Sequence, residues 1–249
     1  MKKIILIATF SIVLMNVHAQ QFINKGNIEF EVKTNVRKTV GEGMWAELLK
    51  ENLPAFKIAY YHYTFNDNKS IYKLNHFDEK MKIPEFMKKE DEEDQWYLDI
   101  NQNLIQIQKS IFGSSFLIKD SMVPIQWRLG HENMEIAGFN CHKAVGKIYD
   151  SVYVFAYYTD QITISGGPCS IQGLPGMILG MTIPRLYTSW IATKVTVAGV
   201  NESDIKAPTA KKMYTHKEYK DFLRERTKEW ESYQEDKSFV RQFLWGRML

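Results

Sequence analysis

The 249-residue chain holds only two cysteines, Cys141 and Cys169, and no C-x-x-C pair, H-x-x-x-H or H-E-x-x-H. The familiar sequence signatures of a zinc site are therefore missing. Also absent are G-x-S-x-G, which marks one class of serine nucleophile, and G-K-[ST], which ends a phosphate-binding loop. Past residue 19 no run approaches the roughly 18 apolar residues of a membrane-crossing helix. No Gly/Ser-rich or Pro-rich stretch marks a linker, and a chain of this length suffices for one β-rich domain. Lys and Arg number 32 against 29 Asp and Glu, a net charge of +3. So even a balance gives no electrostatic footprint for nucleic acid.

The first residues are of another kind. Lys2 and Lys3 precede a mostly apolar run, Ile4 to Leu14, and then Val17-His18-Ala19, whose small residues suit signal peptidase. Residues 1–19 are expected to be a cleaved signal peptide and 20–249 a single exported domain starting at Gln20 or Gln21. No Cys stands at the cleavage point to take a lipid. Periplasmic, outer-membrane-associated and secreted destinations all fit. Loss of Lys2 and Lys3 takes 2 from the 32 basic residues, leaving 30 against 29 acidic ones and a net charge of +1. In an oxidising compartment a Cys141–Cys169 disulfide is chemically permitted, with two separate buried thiols as the alternative.

Strand patterns dominate the rest. Gly26 to Lys38 starts with Ile28, Phe30 and Val32 alternating with Glu29, Glu31 and Lys33, the period of a half-buried strand. Met44 to Glu51 is a short helical candidate. Ala55–Phe65 and Ser70–Phe77 flank Asn66-Asp67-Asn68-Lys69, a hairpin turn by composition. Setting Phe65 opposite Ser70 puts His62 opposite Lys73, three residues from His76. An odd offset assigns the two imidazoles to opposite faces. Residues 78–95 read as a surface loop, with Glu90-Asp91-Glu92-Glu93-Asp94 solvated. Further strand candidates are 96–100, 104–110, 114–119, 125–129, 134–139, 143–148, 152–158, 177–182 and 189–197. Thr215-His216-Lys217-Glu218 matches a capping box and opens a helix to about Tyr233. Short turns without a helix between strands imply an antiparallel sheet. The expected fold is mainly β, a β-rich α+β domain. Its single curved or partly closed antiparallel sheet carries a short N-terminal helix and a C-terminal helix.

Glycine density jumps at Gly166-Gly167-Pro168-Cys169-Ser170-Ile171-Gln172-Gly173-Leu174-Pro175-Gly176-Met177-Ile178. Pro175 and Gly176 suit the central positions of a type II turn. Gly173-Leu174-Pro175-Gly176-Met177-Ile178 closely resembles the hexapeptide of the GLPGLI family of bacterial exported proteins, with Met177 in place of Leu. The signal peptide, Gly138…Cys141-x-Lys143-Ala144, Ala156-Tyr157-Tyr158-Thr159 and Gly167-Pro168 extend the likeness over most of the mature chain. The resemblance implies export and architecture, and brings no catalytic residues with it. The loop is expected to be structural.

Several chemistries can be weighed. His131, Cys141, His142 and Cys169 are the residues from which a metal site or a secreted hydrolase would be assembled. Adjacent Cys141 and His142 point to opposite faces of a strand, however, which disfavours joint ligation. No metal or cofactor is expected. Aromatics on the strands (Trp96, Tyr97, Trp127, Tyr153, Phe155, Tyr157, Tyr158) would line a cavity if the sheet curls. The strand 152–158 is apolar on both sides and is expected to be covered on both. The leading reading is a non-enzymatic binding or structural module for an apolar ligand or an envelope or outer-membrane protein partner. A secreted enzyme and a metal-handling protein are the competing ones.

Overall fold

The computed structural model describes residues 22–41, 44–149, 151–233 and 238–249. The leader expected at 1–19 lies outside them. The chain runs β1 (Lys25–Thr34), α1 (Val36–Thr39), α2 (Met44–Asn52), β2 (Lys57–Asn66), β3 (Lys69–Phe77), α3 (Glu85–Glu93), β4 (Gln95–Asp99), β5 (Leu104–Ile111) and β6 (Ser114–Ser121). It continues through β7 (Gln126–Ile136), β8 (Phe139–Ile148), β9 (Val152–Thr159), β10 (Met177–Ile183), β11 (Thr188–Thr196), β12 (Met213–Tyr214), α4 (His216–Tyr233) and α5 (Ser238–Met248).

The strands form one open sheet of twelve, in the order β12-β6-β5-β4-β3-β2-β1-β11-β10-β9-β8-β7. All ladders between these strands are antiparallel except β12 on β6. The mainly β, single-sheet expectation holds. No helix among the described residues is long and apolar enough to cross a membrane.

Period-2 alternation explains which face is buried. In β1, Ile28, Phe30 and Val32 are buried while Glu29 and Glu31 stay half-exposed. Their partners on the same face are Tyr63, Tyr61 and Ala59 of β2, and Tyr72 and Trp96 continue the layer through β3 and β4. Helices cover this inner face. Phe116 of β6 meets Phe222 of α4 with ring centroids 4.6 Å apart, and Trp230 and Phe243 pack edge to face at 5.1 Å, joining α4 to α5. The capping box forms as read, with the Thr215 N–H donating to Glu218 Oε2 at 2.7 Å and the Glu218 N–H to Thr215 Oγ1 at 3.2 Å.

Several sequence expectations need correction. Residues 85–93 are helical rather than loop. The 125–129 and 134–139 candidates merge into β7, whose register shifts between Leu129 and Asn133, and Phe139 opens β8. In the β2–β3 hairpin Phe65 pairs with Ser70 and His62 with Lys73 as expected, but a bulge between Tyr60 and Tyr61 sets His76 opposite Tyr60. One extra residue on β3 reverses the parity, so His62 and His76 share the outer face. There His76 stacks on Tyr60 at 4.7 Å, and His62 Nε2 lies 3.5 Å from Glu29. Strand β9 buries Val152, Val154, Ala156 and Tyr158, yet Tyr153 is 56% exposed, so its outer side is not covered throughout.

Candidate functional site

A cleft of about 530 Å³ lies on the inner face of the sheet. Strands β1, β2, β3, β4, β5 and β11 form its floor, and α1, α3, α5 and the 3-10 turn Pro168–Ser170 border it. Alternation dictates the floor: Tyr61, Tyr72, Trp96 and Trp190 all belong to the buried parity, and Phe239 and Phe243 reach in from α5. Tyr61 and Tyr72 stack at 4.9 Å and 14°. The Trp96 indole N–H donates to the Leu249 carbonyl at 2.7 Å, fixing the end of α5 against β4.

Charged side chains enter the cleft only as pairs among the described lining residues. Lys109 Nζ is 3.0 Å from Asp94 Oδ2, with both side chains buried. Lys57 binds Asp91, and Arg247 meets Glu90 at 2.6 Å. Of the acidic run expected to be solvated, Glu90, Asp91 and Asp94 are thus held by cations from α5, β2 and β5, while Glu92 is exposed. Desolvation raises the Asp94 carboxyl, against the pull of Lys109 and the Ser110 N–H that donates to Oδ1 at 2.7 Å. Lys109 also sits 4.1 Å above the Trp96 ring.

The glycine-rich segment builds one wall. A parallel bridge joins Gly166 to Met177, and the Ile178 N–H donates to the Gly166 carbonyl at 2.9 Å. A Cβ on Gly166 would stand 2.2 Å from Tyr63 Oη, so only glycine lets this backbone reach the core. Trp127 pins the loop by donating to the Gln172 carbonyl at 3.0 Å. Around Pro175 the turn is a γ-turn, not type II: the Gly176 N–H donates to the Leu174 carbonyl at 2.8 Å, and Gly176 sits at φ +144°. Leu174, Gly176, Met177 and Ile178 are buried, while Gly173 and Pro175 are exposed.

The loop delivers Cys169 to the cleft in the left-handed region, at φ +53° with Ser170 at +60°. Non-glycine residues there cost about 1–3 kcal/mol each, a strain the surrounding structure must hold. Cys169 and Cys141 are free thiols, and burial pushes each up to about 12. Cys169 faces Trp190 in the cleft, whereas Cys141 lies on β8 opposite Met134 and donates to the Phe139 carbonyl at 3.5 Å. No disulfide joins them. His142 Nδ1 is 2.8 Å from Asn133 Oδ1, and His131 is exposed on β7. Among the described residues, no three His, Cys, Asp or Glu side chains are grouped to hold a metal.

Sequence reasoning missed Tyr61, Tyr72, Trp190 and the charge pairs of the cleft, because no single window of the chain contains two walls of it. It also missed α5, although Val240, Phe243 and Leu244 carry a readable helical spacing.

The similarities to known proteins agree with this architecture. The family model described as "Protein of unknown function (Porph_ging)" matches residues 146–180, which include the glycine-rich segment. No curated protein matches. Two structures of PNGF-II, in space groups P21 and C2, superpose with TM-scores of 0.51 and 0.50 at 15% and 14% identity. The superpositions cover 80% and 79% of this chain but only 33% and 32% of the PNGF-II chain. At that identity the likeness is one of fold. The chain matches about a third of the length of PNGF-II.

Proposed function

We propose that this chain is an exported cell-envelope protein of the GLPGLI type that works by binding, holding a small, largely apolar ligand in the inner-face cleft. The observation that carries the reading is Tyr72. The residue is 1% exposed, its hydroxyl proton finds no acceptor among the described residues, and it lines a cleft of about 530 Å³ walled by aromatic side chains. A buried polar group left unpaired costs about 1–3 kcal/mol. A cleft of this size and apolarity is of the kind that takes small molecules.

The non-enzymatic reading is supported by the state of the nucleophile nearest the cleft. With its proton held to about 12, the Cys169 thiol is almost wholly protonated at neutral pH. His131 and His142 lie outside the residues that line the cleft, which weighs against an enzyme or metal site built from them with the cysteines. Export rests on the leader and on the GLPGLI resemblance.

The test is to express the whole chain with its own leader, purify it from the envelope fraction, and analyse both the N-terminus and an organic extract. A mature chain starting at Gln20 or Gln21, with a stoichiometric small molecule in the extract, is the expected result. A chain retained with its leader would contradict export. Protein from the envelope that yields no extractable compound would contradict ligand binding.

A further inference from the structure

Each cation lining the cleft already has a carboxylate of its own: Lys57 with Asp91, Lys109 with Asp94, and Arg247 with Glu90. An ionised ligand would enter a partly dry space with no unmatched charge to meet it. It would either stay unpaired or break an existing pair, and both carry a large desolvation penalty. Charge balance therefore selects a neutral occupant.

Among the described residues, two lining groups lack an acceptor, the Tyr72 hydroxyl proton and Gln242 Nε2. The amide nitrogen can only donate. The indole of Trp190 lies beside the Tyr72 oxygen without forming a well-aligned hydrogen bond, and beside the Cys169 sulfur as well. With an N–H donor near the oxygen, the phenolic proton is the part of Tyr72 left to be used. Both unmet groups thus ask for an acceptor. The stacked Tyr61 and Tyr72 rings, with Trp96 and Trp190 on the same floor, offer flat faces to a flat body.

We propose that the cleft selects a neutral molecule with a flat apolar body and a hydrogen-bond-accepting group, such as a carbonyl, at its buried end against Tyr72 Oη. This rests on the cleft being a ligand site.

Three probes of nearly one shape separate the possibilities: 2-acetylnaphthalene is neutral with an acceptor, 2-ethylnaphthalene neutral without one, and 2-naphthoate anionic. Their affinities for the whole chain are read by quenching of tryptophan fluorescence. The acetyl compound should bind about threefold to tenfold more tightly than the ethyl compound, the worth of one hydrogen bond, and naphthoate most weakly. Tyr72→Phe should bring the acetyl-to-ethyl ratio close to one. Gln242→Leu, on the half-buried rim, supplies a second variant and should lower the same ratio if Tyr72→Phe does not fold. Equal wild-type affinities for the two neutral probes, or naphthoate binding as tightly as either, would overturn the selectivity and leave the cleft reading standing. Failure of all three probes to bind a folded chain would overturn both.

Discussion

Lys109 and Asp94 meet at 3.0 Å with exposures of only 5% and 6%, and they join β5 to the residue that follows α3. Breaking such a pair from one side leaves a buried charge without compensation. Asp94→Asn or Lys109→Met should each destabilise the fold by about 3 to 5 kcal/mol, whereas the double variant should recover most of the loss. Urea unfolding of the three variants checks this. Additive losses would contradict it.

Cys141, Cys169 and Tyr63 all hold their protons to about 12, because burial disfavours the charged form. The folded values lie above the unfolded ones, so the stability these groups contribute is whole below about pH 8.5, the unfolded thiol value. It is lost as pH rises toward 12. The urea midpoint should fall steadily between about pH 9 and pH 11. A flat midpoint across that window would contradict the burial of these groups.

The same burial predicts slow thiol chemistry. At pH 8 both thiols should react with Ellman's reagent about a thousandfold more slowly in the folded chain than in urea, since the thiolate is the reactive form. Two thiols should be counted after unfolding without reductant. A count of zero would mean that Cys141 and Cys169 are bridged.

Much of the fold was legible in the sequence, and the hairpin of β2 and β3 shows why. Asn66-Asp67-Asn68-Lys69 fixed the turn, and alternation then fixed Phe65 opposite Ser70 and His62 opposite Lys73. The bulge that moves His76 to the face of His62 left no local mark, because it depends on how the sheet twists. Helix α3 is illegible for a related reason. Its acidic residues look solvated in isolation, and only the arrival of Lys57 and Arg247 from distant elements makes Asp91 and Glu90 half-buried partners, as Lys109 makes a buried one of Asp94 just beyond the helix. The cleft was illegible altogether: Tyr72, Cys169, Trp190 and Phe243 come together through strand order, which no short-range pattern encodes.

The glycine-rich loop gives a graded prediction. A Cβ on Gly176 would lie 2.1 Å from the Thr159 carbonyl oxygen at φ +144°. Gly176→Val should therefore lower stability by more than about 3 kcal/mol. Gly113→Ala also places a side chain at positive φ, +72°, but meets nothing within 4 Å, and should cost only about 1 kcal/mol. Pro175→Ala, at an exposed position, should change the melting temperature little. A Gly176→Val protein that melts with the wild type would show that the loop does not brace the core.

Gly246 offers the most direct route to the central claim. It lines the cleft within α5, and an added Cβ would meet only Leu186 Cδ2 at an ordinary 3.9 Å. Gly246→Leu should keep or raise helix stability, since glycine inside a helix costs about 1 kcal/mol, while its side chain occupies the ligand's space. The decisive measurement is native mass spectrometry of the wild type and Gly246→Leu, both purified from the envelope fraction. The account predicts a non-covalent adduct on the wild type, lost on mild denaturation, and a bare mass for the variant. An adduct on both, or on neither, would contradict the cleft as the ligand site.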